Sequence, residues 1–140
     1  MSRADANGPD AEVEMPSFSD MVEAARPNVR EVSAAEAKEM VEGDPDALIL
    51  DVRESHEWDM GHIPGAVLVP LGQLDLVADP SGPRPNPDLT GRTDKLIVAQ
   101  CATGKRSILA ADLLQKLGYH NVVSMRAGFI GWARQGYPID

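Results

Sequence analysis

"KLIVAQCATGKRSILAADLLQKLGY", Lys95 to Tyr119, decides how the chain is read. Its first six residues form a short, nearly continuous apolar run, the pattern of a strand buried on both faces. Its second half repeats apolar residues at helical spacing, with Ala110, Leu113, Leu114 and Leu117 on one face, Lys116 in the last turn and Gly118 as the stop. Between the two lies "CATGKRS", Cys101 to Ser107, which holds the only cysteine of the 140 residues. A buried strand that turns into an amphipathic helix is a building unit of a parallel α/β sheet. In such sheets ligands bind beyond the carboxyl ends of the strands, and Cys101 stands at such an end.

The rest of the chain repeats the alternation. "ALILDV" (47–52), the stretch from Ala66 to Val69 and "NVVSM" (121–125) read as further strands. A helix is expected after Ser33, which with Glu36 has capping-box spacing, and its stripe of Ala34, Ala37, Met40 and Val41 ends at Gly43. Short helices are expected over Leu71 to Val77 and in "GFIGWARQG" (128–136). The Pro-rich segment 78–93 is expected to be loop. Residues 1–28 form an acidic extension, with a flexible tail to about residue 16 and a short helix over 17–26. The domain proper is expected over 29–140.

The sequence carries a net charge of −9, which argues against a nucleic-acid or anionic-membrane partner, since phosphate surfaces need clustered Lys and Arg. No apolar run approaches the roughly 20 residues needed to cross a bilayer. The start, "MSRADANGPDAEVEM", has no apolar core and does not read as a secretory signal, so a cytoplasmic protein is expected. The charge is uneven. Residues 1–28 hold two arginines against six acidic residues, whereas Lys95 to Ala111 contain Lys95, Lys105 and Arg106 and no carboxylate. A small anion would be drawn to the cysteine segment.

Taken alone, a cysteine after a strand is most often a small apolar filler. Here the glycine, the cations and the helix start argue for a nucleophile. With the helix beginning near Arg106, the chain from Cys101 to Lys105 curls over its N-terminus. The peptide N–H groups of the curl are then expected to point inwards with the free donors of the first turn. Such a cradle binds anions and favours a thiolate at its centre for the same reason. Gly104 suits the tight curl.

These residues resemble a known pattern. "CATGKRS" is similar to the C-x-x-G-x-R-S active-site loop of single-domain members of the rhodanese-like family. "DVRESHEWDMGHIPGAVLVP" (51–70) resembles that family's D-V-R-x-x-x-E-[aromatic]-x-x-G-H-I-P-G-A segment, and "AGFIGWARQGYPI" its usual ending. The resemblance spans about Val29 to Asp140 and leaves residues 1–28 and 78–93 outside. It implies an α/β domain with a central five-stranded parallel sheet flanked by helices on both faces, and sulfurtransferase chemistry without a cofactor. Cys101 would carry sulfane sulfur as a persulfide from a small anionic donor such as thiosulfate to a thiol or cyanide-like acceptor, or to a protein acceptor. The backbone of Ala102, Thr103, Gly104, Lys105 and Arg106, closed by Ser107, would hold the sulfur and the donor's oxygens, with Lys105, Arg106 and Arg53 binding its charge. Asp51 and Arg53 are expected to brace the loop. His62 is expected to be structural, and its six-residue spacing from His56, with no second cysteine, fits no zinc site. Trp58 and Trp132 are expected to pack in the core or its rim.

Two other functions fit parts of the pattern. Phosphatases and arsenate reductases of this fold also use a cysteine thiolate and an arginine, but their loop is C-x5-R, whereas Cys101 to Arg106 is C-x4-R. Phosphate ester cleavage also needs a proton donor for the leaving oxygen, and Ala102 to Lys105 include no carboxylate. A regulatory or binding module is the other alternative, with the amphipathic stretch 17–26 as its docking piece.

Overall fold

The computed structural model describes residues 15–140, so most of the expected acidic tail lies outside the described residues. Five parallel strands, β1 (Arg30–Val32), β2 (Leu48–Asp51), β3 (Val67–Leu68), β4 (Ile97–Gln100) and β5 (Val122–Met125), form one sheet in the order β1-β5-β4-β2-β3. The helices are α1 (Phe18–Ala25), α2 (Ala34–Glu42), α3 (Ser55–Asp59), α4 (Leu74–Ala78), α5 (Pro87–Thr90), α6 (Arg106–Lys116) and α7 (Gly128–Arg134).

Every residue of β2, β4 and β5 is buried, as expected of strands covered on both faces. Alternation along the strands divides the core in two. Leu48, Leu50, Ile97 and Ala99 pack with Ala110, Ala111 and Leu114 of α6, Leu74 and Ala78 of α4 and Leu89 of α5. Ile49, Val98, Val123 and Met125 pack on the opposite face with Ala34 and Ala37 of α2 and Trp132 of α7. Cys101 follows the parity of Ile97 and Ala99 and therefore lies on the α6 face. Gln100 has the other parity; its side-chain amide is buried with no hydrogen-bond partner among the described residues.

The capping boxes explain two helix starts. Ser33 and Glu36 exchange bonds at the head of α2 as read from the sequence, and Ser17 and Asp20 do the same for α1. Val22 and Ala25 of α1 pack on Ile108 of α6, while Phe18 and Met21 stay about half exposed. A 3-10 turn over Arg26–Asn28 then leads into β1.

Three elements depart from the reading of the residues. The Pro-rich segment is not loop throughout: Asn86 accepts the N–H of Asp88, Pro87 needs no partner at the first helical position, and the turn α5 buries Leu89. β1 and α3 carry no periodic apolar pattern of their own. β1 is a strand because Arg30, Glu31 and Val32 register with Val123, Ser124 and Met125 of β5.

At the C-terminal edge of the sheet the chain leaves β5 through Ala127, in the left-handed region at φ 64°, and enters α7 at Gly128, φ 51°. A Cβ at Gly128 would lie 2.2 Å from the carbonyl oxygen of Cys101, a backbone atom that cannot step aside. Gly128→Ala is therefore expected to destabilise the fold by about 2–5 kcal/mol, through overpacking and backbone strain together. Denaturant unfolding checks this, and a loss below about 1 kcal/mol would show that the loop and α7 are less tightly joined than described.

Candidate functional site

β4 is central in the sheet, so the loop that leaves it, Cys101 to Lys105, emerges between the carboxyl ends of β2 and β5. Three sets of contacts shape this loop. On one side, the free N–H groups at the start of α7 hold its carbonyls: Phe129 donates to Cys101 at 2.7 Å and Ile130 to Ala102 at 3.1 Å. On the other side, Sγ of Cys101 turns towards α6. There it receives the N–H of Gly104 at 3.1 Å and lies 3.6 Å from Oγ of Ser107. Oγ of Ser107 is in turn 2.8 Å from Oγ of Ser124 on β5. Cys101, Ser107 and Ser124 have no exposed surface. Third, Gly104 turns at φ 92° against the backbone of Met125 to Ala127, where a Cβ would come within 3.0 Å of the Ala127 nitrogen. This is the position at which the curl needs glycine.

The cations are arranged differently from the expectation. Nη1 and Nη2 of Arg106 bind Oε1 and Oε2 of Glu57 at 2.7 and 2.9 Å, a planar two-bond pair with each side chain about a quarter exposed. Arg106 holds the Glu57 carboxyl down at about 2, well below its ordinary 4.5, with a smaller contribution from the N–H of Glu54. The same carboxylate thus tethers the loop's helix and caps α3. Arg53, almost fully buried, donates from Nε and Nη2 to Asp51 at 3.0 and 2.8 Å and from Nη2 to the Gly61 carbonyl at 2.8 Å. Its guanidinium lies 4.4 Å from the centre of the Phe129 ring. Arg53 therefore ties the ends of β2 and α3 to the base of α7, behind the cysteine loop. Of the three cations read as anion ligands, only Lys105 is exposed and free of an ion pair among the described residues.

Asp51 and Arg53 are thus brought together as an ion pair, and Ala102, Thr103, Gly104 and Lys105 form the turn from Cys101 into α6, which begins with Arg106 and Ser107. His62 stacks on Trp58 at 3.6 Å with Nδ1 3.1 Å from the Trp58 carbonyl oxygen, which occupies it structurally. Trp132 is buried and donates to the carbonyl of Pro138 at 2.8 Å. No cluster of three or more His, Cys, Asp or Glu side chains suited to a metal occurs among the described residues, and none of their helices is long and apolar enough to cross a membrane. The residue reading missed two partners. Glu57 lies 49 positions from Arg106, beyond any count of local charge. Ser124 gave a signal, a hydroxyl inside an otherwise apolar strand, but nothing local says what it faces.

The Glu57–Arg106 pair has a definite pH signature. A carboxylate held below its unfolded value contributes stability that is fully present above about 4.5 and disappears as the pH falls towards about 2. Glu57→Gln is expected to cost about 1–2 kcal/mol at neutral pH, after allowance for solvent screening of a partly exposed pair. The difference from the parent should shrink as unfolding is followed from pH 5 towards pH 2. A difference that stays constant over this range would contradict the pairing.

Comparison with known proteins places this geometry in a family. The profile of the rhodanese-like domain matches residues 33–135. A putative sulfur carrier protein of Bacillus subtilis, YrkF, is 32% identical over 105 residues, which are 75% of this chain and 51% of that protein. The chain thus spans about half the length of YrkF. A sulfurtransferase of Allochromatium vinosum is 31% identical over 111 residues, covering 79% of this chain and 94% of that one. Among solved structures, a protein of unknown function from Rhodopseudomonas palustris, described as a possible tyrosine phosphatase, superposes with a TM-score of 0.84 at 30% identity, over 92% of this chain and 98% of that chain. The strand order, the cysteine loop and these likenesses agree: the chain belongs to the rhodanese-like domain family.

Proposed function

We propose that the protein is a sulfurtransferase in which Cys101 takes a sulfane sulfur from a thiosulfate-like anion and passes it to a nucleophilic acceptor. The observation that carries this reading is the small turn around one sulfur atom: Sγ of Cys101 receives the Gly104 N–H, and only four residues separate it from Arg106. The sulfurtransferase and sulfur-carrier relatives support the same class of chemistry.

The steps balance as two displacements. Once the thiol has given its proton to water, Sγ attacks the outer sulfur of the donor. An Sγ–S bond forms, the S–S bond of thiosulfate breaks, and sulfite leaves with the electron pair. A thiol, cyanide or a nucleophile on another protein then attacks the outer sulfur. The Sγ–S bond breaks and Sγ takes back the pair. These 140 residues hold no second cysteine to receive the sulfur, so the acceptor lies outside them. Lys105 supplies the one exposed charge of the loop for the donor's oxygens. Arg106, bound at both terminal nitrogens by Glu57, acts by fixing the start of α6.

The description of the Rhodopseudomonas protein as a possible tyrosine phosphatase makes phosphate ester hydrolysis the reading to weigh against this one. Two features disfavour it here. A phosphoryl group carries three peripheral oxygens and needs a wider ring of donors than a four-residue spacing provides. Its leaving oxygen also needs a proton. The carboxylate that reaches the loop, Glu57, is held ionised by Arg106 and has none to give at neutral pH.

Treatment with thiosulfate is expected to add one sulfur atom to the intact protein, removable by cyanide as thiocyanate. Cys101→Ser should abolish both steps while leaving the unfolding transition close to that of the parent, since the hydroxyl is similar in size but ionises far less readily. Aryl phosphates should not be hydrolysed. A parent protein that ignores thiosulfate and hydrolyses aryl phosphates through Cys101 would replace this reading with the phosphatase one, and an unreactive thiol would favour a binding module.

A further inference from the structure

β5 is apolar except for Ser124, whose side chain is fully buried beside Val122, Val123 and Met125. A buried hydroxyl is costly unless bonded, and the partner of this one is Oγ of Ser107, at 2.8 Å. Ser107 stands in the first turn of α6, with Oγ 3.6 Å from the cysteine sulfur, within hydrogen-bond range for sulfur. The three atoms form a chain, Ser124 Oγ to Ser107 Oγ to Cys101 Sγ, sealed from solvent and separate from the backbone donor at Gly104. Ser124 makes no hydrogen bond to the sulfur among the described residues and reaches it only through Ser107.

We propose that Ser124 is a positioning residue for sulfur discharge, acting through Ser107 to stabilise Sγ of Cys101 as a leaving group; the proposal rests on the sulfur-transfer reading above. A hydroxyl has one proton to donate and two lone pairs to accept with, so the pair can be set in two directions. In the persulfide, Sγ is bonded to carbon and sulfur, carries little charge and is a weak acceptor. The Ser107 proton then points to Ser124. During discharge the acceptor's nucleophile attacks the outer sulfur, the Sγ–S bond breaks, and both bonding electrons return to Sγ. As charge develops there, the Ser107 O–H rotates to Sγ and the Ser124 O–H rotates to donate to Ser107. Both protons stay on their own oxygens. The second bond polarises the first and strengthens it, an effect that a dry site magnifies. Loading makes the opposite demand, because Sγ is then the nucleophile and loses charge. The pair therefore favours discharge over loading.

Single-turnover kinetics test this on the full chain, with thiosulfate to load Cys101 and cyanide to discharge it. Ser124→Ala is expected to slow discharge about tenfold, the upper end of the effect of losing one neutral hydrogen bond, here the one behind the Ser107 donor, and to slow loading much less. In a Ser107→Ala background the same change should have no further effect, because the route to the sulfur is already gone. Ser124→Thr and Ser124→Val guard against a folding defect: they match in shape and differ in the hydroxyl, so threonine should discharge about tenfold faster than valine. Equal discharge by these two, or a full additional loss from Ser124→Ala on Ser107→Ala, overturns the proposal. If the parent loads and discharges sulfur and the variants do not separate, the relay alone fails. If the parent takes up no sulfur from thiosulfate, the sulfur-transfer reading fails and the relay with it.

Discussion

Two backbone hydrogen bonds, from Phe129 to the carbonyl of Cys101 and from Ile130 to that of Ala102, are the constraint on which the rest of the site depends. A chain leaving a central parallel strand must satisfy its carbonyls somewhere, and the unpaired N–H groups at the head of α7 are the nearest donors. Binding the carbonyls there, on the face opposite α6, leaves the sulfur on the other side of the turn with the Gly104 N–H and the Ser107 hydroxyl. The joint is close enough that Gly128 has no room for a side chain and Ala127 is held in a left-handed conformation, a modest local strain. Helix α7 can impose it because Trp132 is buried in the second core cluster, and its indole N–H anchors the chain end at Pro138.

Electrostatics follow from the same economy of contacts. An acidic chain with a cation-rich loop suggests an attractive field at Cys101, but two of the three cations are already paired. Arg53 is neutralised by Asp51 beneath the loop and Arg106 by Glu57 beside it. Each pair is held by more than one bond, so both fix orientation as well as charge. What remains for an incoming anion is Lys105 and oriented backbone. Recognition then rests on the size and direction of the turn more than on net charge, which suits a small ligand.

Much of this was legible in the residues, and the limits have physical reasons. The β4–loop–α6 unit could be read because burial on both faces imposes a continuous apolar run and packing on one face imposes the stripe of Ala110 and Leu114. The capping box of Ser33 and Glu36 is local chemistry and appeared as read. β1 could not be read, since only Val32 of its three residues is buried and its strand character comes from pairing with β5. The α5 turn was hidden by its prolines, although Pro87 is at the one helical position that welcomes it. In the site, the order and spacing of the loop were visible. The partners that cross the fold, Glu57 to Arg106 and Ser124 to Ser107, depend on how distant segments meet, and no local pattern encodes that.

The central claim is that a turn held from behind by α7 presents Cys101 as a sulfur carrier. A crystal structure of the protein after treatment with thiosulfate tests it most directly. The account predicts one additional sulfur atom bonded to Sγ of Cys101 and within hydrogen-bond distance of backbone N–H groups of the loop, with the bonds from Phe129 and Ile130 to the loop carbonyls intact. A sulfur bound elsewhere, or a loaded loop released from α7, would contradict it.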